Sequence, residues 1–424
     1  METLKVTGNR PLCGEVTVDG NKNAVLPVIA ASLLTDEELV IRNVPEIIDV
    51  KIMLEAVESL GVEVSFSAGI LKLQARQISN HKLSRNLCSK IRTSILLTGP
   101  LLTRTGKASL WPPGGDVIGR RRLDGHFYGL STLGAEIATE SFPFKFSLKG
   151  RFRGRELFLD EASVTATEQI LLAAVLAEGQ TILRNAAAEP HVRQLAELLV
   201  KMGANITGLG SNTLTIDGVE KLHGTDFAIE GDHIEAGSFL AMAAATQGEI
   251  TINGICPGHY WMTRRIFERF GIHFEMGADY IHLPRGQKLK IKTDWGNAIP
   301  TVSDGPWPQF PSDMISCTLV MATQAEGSVL FFEKMFESRI YFVDRLISMG
   351  ANAIVCDPHR AVISGPSQLR GIEMSSPDIR AGMAMLIAAL CAKGESIIHN
   401  ASVISRGYAG IVGKITSLGG NISN

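Results

Sequence analysis

The chain has 424 residues, 45% hydrophobic and 20% charged, with 41 Lys and Arg against 43 Asp and Glu for a net charge of −2. That length asks for two or more domains, each with a core of its own. The near-neutral balance leaves no basic footprint for a nucleic acid, and the longest apolar runs, such as AGMAMLIAALCA at 381–392, are too short to span a membrane.

The six cysteines (Cys13, Cys88, Cys256, Cys317, Cys356, Cys391) are scattered without a ligand spacing. Structural zinc is not expected, and reduced thiols in a cytoplasmic protein are. The ten histidines include no HExxH, so no metal centre is expected either.

From the N-terminus, METLKVTGNR reads as a strand and a turn, with no apolar core of a signal peptide. GNKNAVLPVIAASLL (20–34) then sets Lys22 and Asn23 ahead of an apolar helix, with Pro27 expected in its first turn. Two readings stay open there: Asn23 as a helix cap, or a helix N-terminus that receives an anion.

Further on, one phrase recurs: the end of an apolar helix, a glycine stop, then a strand. Its glycines are Gly61, Gly134, Gly203, Gly271, Gly350 and Gly419, at spacings of 73, 69, 68, 79 and 69. A glycine at a helix C-terminus permits the left-handed turn that starts a strand. Six helix–strand–loop–helix–strand units of about seventy residues predict an α/β protein of two domains, three units each. The expected division is 22–230 for the first lobe, which carries a mobile loop at 112–122, and 1–21 with 231–424 for the second. A cleft between two such lobes is the expected ligand site.

SKIRTSI (89–95) puts Arg92 in an apolar context. WPPGGDVIGRRRLDG (111–125) has the composition of an exposed loop, carries Asp116, and runs into Arg120, Arg121 and Arg122. A solvated turn is one reading of that loop. An anion pocket is the other, favoured because unpaired cations in apolar surroundings are costly. GLG (208–210) lacks the rest of a dinucleotide fingerprint, and Glu168 and Glu189 read as structural.

In the second half, PWPQFPSDMIS (306–316) places Asp313 before an apolar helix, where it serves either as a cap or as an acid–base group. FESR, PDIRAG and SRGY then set Arg339, Arg380 and Arg406 at loop-to-helix junctions of successive units. Converging arginines suit a small anion bearing phosphate and carboxylate.

With GNKNAVLP, PPGGDVIGRRRLD, NAAAEP, FPSDM, FESR, PDIRAG and SRGY in place, the whole chain resembles the enolpyruvyl transferases, in particular those acting on UDP-N-acetylglucosamine in peptidoglycan precursor synthesis. The resemblance implies two lobes of three βαβαββ units around pseudo-threefold axes, an inside-out α/β barrel. It implies phosphoenolpyruvate held by Lys22, Arg121 and Arg406, with Arg92, Arg339 and Arg380 nearby. Asn23 would contact the sugar, Asp313 would be the base at its 3′-hydroxyl, and Ser163, Val164, Met335 and Asp378 would complete the substrate contacts. Asp116 would be the acid, at a position where most members carry the cysteine that fosfomycin alkylates. No cofactor, nucleic acid or membrane is implied, and the expected state is a monomer or weak homo-oligomer.

The chain departs from the family pattern at Glu161 (usually Lys), Thr165 (Gly), Arg122 (Pro), Ser405 and Ala409, which bears on the acceptor more than on the chemistry. The competing readings are an enolpyruvyl transferase for another acceptor, such as a uridine nucleotide, and a non-catalytic paralogue. A phosphoshikimate enzyme would start from Lys-Ser, and an RNA 3′-phosphate cyclase would need a basic surface.

Overall fold

The computed structural model describes residues 3–115, 118–119 and 121–423. Among the described residues six sheets are present, and five of them repeat one plan. A short strand runs parallel to a central one, which pairs antiparallel with a third, which pairs antiparallel with a fourth. In the fifth unit these are Thr301–Ser303, Gly327–Phe332, Arg360–Gly365 and Asn352–Asp357. The helix Ser312–Ala322 follows the first strand and Val343–Ser348 follows the second, which gives the order βαβαββ. In the sixth sheet the parallel strand shrinks to a single bridge, Lys82 with Ser109.

The six repeat glycines lie at φ between 74° and 112°. L-residues rarely adopt that backbone, so the spacing seen in the sequence is the spacing of six helix stops. After four of the central strands the chain turns through another positive-φ residue: Asn43, Asn185, Gly254 or Asn400.

The chain divides into two compact units, Gly20–Asp116 with Arg121–Glu230, and Met1–Asp19 with Val117–Arg120 and Gly231–Asn424. Within the second unit, Thr3–Thr7 pairs antiparallel with Glu395–His399 and Asn421–Ser423, so the N-terminal strand completes the last sheet. Cys13–Thr17 likewise supplies the parallel strand of the fourth repeat.

Helices form the inside of each unit. In the second, His233–Ala245 is buried at every position, Ser312–Ala322 at all but Asp313, and Ile379–Cys391 from Ile379 to Leu390. A helix that is apolar all round has no solvent face and must be enclosed by its neighbours. The first unit encloses Lys22–Ala31 from Ala24 on, Val164–Ala174 from Ala166 on, and the first five residues of Thr98–Thr105. The strands make separate sheets around these helices and close no single barrel.

Candidate active site

The inner helices explain where the candidate residues fall. Lys22, Arg92, Val164, His233, Ser312 and Ile379 each open the inner helical segment of one repeat. Asn23, Asp313 and Arg380 stand at the second position, while Ser163 and Asp378 are caps. A fold that repeats six times thus brings one structural position, a helix N-terminus with its unpaired N–H groups, into use six times.

In the first unit the cap of Lys22–Ala31 is Asn21, not Asn23: its Oδ1 accepts from the Asn23 N–H at 2.8 Å and from Ala24 at 3.2 Å. Asn23 is therefore released from capping. Pro27 lies in the second turn rather than the first, where its missing N–H removes the helical donor for the Asn23 carbonyl. Lys22 is not an unpaired cation. Its Nζ meets Asp49 Oδ2 at 2.7 Å, with both side chains largely buried, an acid the sequence reading did not single out.

Arg92 opens a 3-10 segment, Arg92–Leu97, and donates through Nη2 to the Arg122 carbonyl at 2.6 Å. Burial, and then the charge of Arg121, bring its guanidinium down to about 10. Gly115 lets the loop pass close to both: a Cβ there would stand 3.2 Å from Arg92 Cβ and 3.3 Å from Arg121 Nη1. Two cations are thus held side by side and partly out of water, the arrangement an anion relieves. Asp116 and Arg120 lie outside the described residues. Ile118 accepts from the Ser338 N–H at 3.3 Å.

Next to Arg92, His126 is buried, and burial with the Arg92 charge drives its imidazole down to about 3, so it is neutral. Its Nε2 faces Thr165 Oγ1 at 3.0 Å. Ser163 Oγ caps its helix by accepting from Ala166 at 3.4 Å. Glu168, wholly buried and facing the Glu189 charge, is held well above the usual carboxylate range.

The second unit carries a cluster of buried charges. Asp313 makes no capping bond, which overturns the reading of it as only a cap. Arg339 Nη1 donates to its Oδ1 at 2.8 Å and Arg380 Nη2 to its Oδ2 at 2.6 Å. Burial pushes this carboxyl up, but the charges of Arg380 and Arg339 outweigh it and hold it well below the usual range. Asp378 caps its helix by accepting from Arg380 N and Ala381 N.

Arg339 is supported by two buried acids that sequence reasoning missed. Glu333 accepts from Ser312 Oγ at 2.8 Å and from Phe336 N at 3.1 Å, and Asp304 accepts from Lys334 N and Met335 N. Burial and the bond to Asp304 push Glu333 up to about 9, so Glu333 carries a proton, and the two acids fix the segment 333–339 through its backbone N–H groups. That segment presents Met335, which is exposed, and Arg339, which is buried. Arg406 ends the segment Ala401–Arg406 and is half-buried. Two acids ending neighbouring strands, Asp304 after 301–303 and Glu333 after 327–332, were the signal that could have shown this support.

A family model described as EPSP synthase (3-phosphoshikimate 1-carboxyvinyltransferase) matches residues 6–415. The chain belongs to this family of enolpyruvyl transferases. The UDP-N-acetylglucosamine 1-carboxyvinyltransferase of Treponema denticola is 51% identical over 420 residues, covering 99% of this chain and 98% of the relative. That of Borreliella burgdorferi is 49% identical over 423 residues, covering 100% and 99%. Among solved structures, the enolpyruvyl transferase NikO from Streptomyces tendae matches with a TM-score of 0.89 at 22% identity over 100% of this chain and 98% of that one, a likeness of fold.

As an enolpyruvyl transferase the chain is a transferase. Glu161 is exposed, and Arg122 is exposed and bonds Asp124 through Nε at 2.7 Å. Thr165 is tied to His126. Each of these three side chains is accommodated without a buried unpaired charge.

Proposed function

We infer that the protein transfers the enolpyruvyl group of phosphoenolpyruvate to the 3′-hydroxyl of UDP-N-acetylglucosamine with release of phosphate, a step of peptidoglycan precursor synthesis. The observation that carries the inference is full-length identity of 51% and 49% to two 1-carboxyvinyltransferases named for that acceptor. The site geometry is compatible with the chemistry and gives each residue a role to test.

Lys22, Arg121 and Arg406 hold the phosphate and carboxylate of phosphoenolpyruvate, with Arg92 adding charge. Asn23, Ser163 and Val164 contact the nucleotide sugar. Asp313 takes the proton of the 3′-hydroxyl as its oxygen bonds to C2, and Asp116, standing where most of the family has cysteine, delivers a proton to C3. The tetrahedral intermediate then loses a proton from C3 and expels phosphate, restoring the double bond. Arginines stabilise the charge that leaves.

A carboxylate with both oxygens bound to arginine is a poor base, because the same charges that hold it ionised weaken its hold on a proton. Base action therefore requires Arg339 or Arg380 to let go. The anionic groups of phosphoenolpyruvate offer these arginines an alternative partner, so binding the donor raises the basicity of Asp313. Activation of the base is in this way coupled to the presence of the donor.

Phosphate release from phosphoenolpyruvate, measured with UDP-N-acetylglucosamine, other UDP-sugars and uridine monophosphate, tests the acceptor. Turnover confined to UDP-N-acetylglucosamine is expected. Faster turnover with the monophosphate would overturn the acceptor assignment and leave the transfer chemistry standing.

A further inference from the structure

We propose that Tyr408, the tyrosine of the SRGY motif, is a positioning residue that sets how tightly Arg380 grips Asp313; the proposal rests on the reading of Asp313 as the base. Tyr408 is fully buried. Its hydroxyl lies 2.9 Å from Arg380 Nη1 and 2.9 Å from Ser238 Oγ, and Ser238 Oγ donates to the Ile234 carbonyl at 2.8 Å.

The direction of every proton in this chain follows from what each group is able to do. A guanidinium only donates, so the Tyr408 oxygen accepts from Arg380. Ser238 spends its single proton on Ile234, so Tyr408 must donate to Ser238. The line of hydrogen bonds runs from Arg380 through Tyr408 and Ser238 to the Ile234 carbonyl, and it ties together three places: the segment 405–408, the helix Ile379–Cys391 and the first two turns of His233–Ala245. Burial keeps the phenol protonated through the whole working range, so it serves as neither a base nor a proton store.

The rest of the motif makes this approach possible. Gly407 presses on the helix of Arg380, and a Cβ there would fall 2.6 Å from Ile379 Cγ2. The Arg380 guanidinium then lies over the Tyr408 ring, 5.3 Å from its centroid. One edge of the fork thus faces a neutral oxygen and the other edge faces Asp313.

Removing the hydroxyl oxygen leaves a buried N–H that seeks a new acceptor, and Asp313 is the adjacent one. Arg380 would then hold Asp313 through both nitrogens. The carboxylate becomes a weaker base, and Arg380 parts from it less readily when the donor substrate binds. The effect falls on turnover and on the apparent affinity for phosphoenolpyruvate, which must draw Arg380 off Asp313, and not on affinity for the nucleotide sugar.

The test is steady-state kinetics of the full chain with phosphoenolpyruvate and UDP-N-acetylglucosamine. Tyr408→Phe keeps the ring and should lower kcat about tenfold and raise KM for phosphoenolpyruvate, with KM for UDP-N-acetylglucosamine changed by less than about twofold. Ser238→Ala, which removes only the far end of the line, should lower kcat by about threefold. The double variant should be no slower than Tyr408→Phe, since both changes act through one line. An unchanged kcat in Tyr408→Phe overturns the proposal. So does a loss of kcat that multiplies with the Ser238→Ala loss, because independent packing defects behave that way. Asp313→Asn, run alongside, separates the two layers: if it keeps wild-type turnover, the base reading itself fails, whatever Tyr408 does.

Discussion

Replacing Asp313 with Asn removes the acid that Arg339 and Arg380 share. The two arginine side chains are only 4% and 8% exposed, while Asp313 is 25% exposed. Removing one partner of a buried pair costs about 3–5 kcal/mol. Partial water access to Asp313 and the one oxygen that Asn retains place the cost near the lower end, about 3 kcal/mol. For a unit of this size that lowers the melting temperature by about 6–12 °C.

The same vacancy in charge makes an anion a better guest. Inorganic phosphate at a hundredfold excess over its dissociation constant contributes about 2.7 kcal/mol, enough to recover most of the loss. Thermal melts of the two proteins with and without phosphate read this directly, and the variant should gain more than the parent. Equal melting temperatures, or equal gains from phosphate, would refute the claim that Asp313 neutralises a buried arginine pair.

Arg406→Ala should cost about 3 kcal/mol in kcat/KM and Arg406→Lys should recover only part, since a point charge lacks the bidentate contact; steady-state rates check both. The protein should resist fosfomycin, and Asp116→Cys should become inactivated over time, with the adduct on residue 116 seen by mass spectrometry, because a thiolate is the stronger nucleophile. Glu333 binds its proton up to about 9 in the folded chain against 4.5 ordinarily. The folded state thus holds more protons than the unfolded one across that window, and this group alone removes about 1.4 kcal/mol of stability per pH unit as pH rises through it. Glu333→Gln should flatten that decline in melts recorded from pH 5 to 9.

The repeat was legible because it depends on local chemistry: a helix ending at Gly61 or Gly350 needs the positive φ that glycine supplies, wherever the chain goes next. The borrowing of strand Cys13–Thr17 by the fourth repeat was not legible, since its partner Glu249–Asn253 is more than 230 residues away. At the site, arginines in FESR and PDIRAG stood out by their setting. Their convergence on Asp313 is a tertiary fact, and so is the pairing of Lys22 with Asp49. Asn21 and Asn23 both suit a cap by composition, and only the backbone decides that Asn21 takes the role. Glu333 hides for a different reason: two acids ending neighbouring strands hint at the support, but that burial keeps the Glu333 carboxyl protonated is a tertiary fact.

The most direct measurement is the mass of the nucleotide product after incubation with phosphoenolpyruvate and UDP-N-acetylglucosamine, followed together with released phosphate. An enolpyruvyl group on the sugar's 3′-oxygen, formed one for one with phosphate and absent with Asp313→Asn, is the result expected. Phosphate released without any change in the nucleotide, or transfer that persists undiminished in Asp313→Asn, would contradict it.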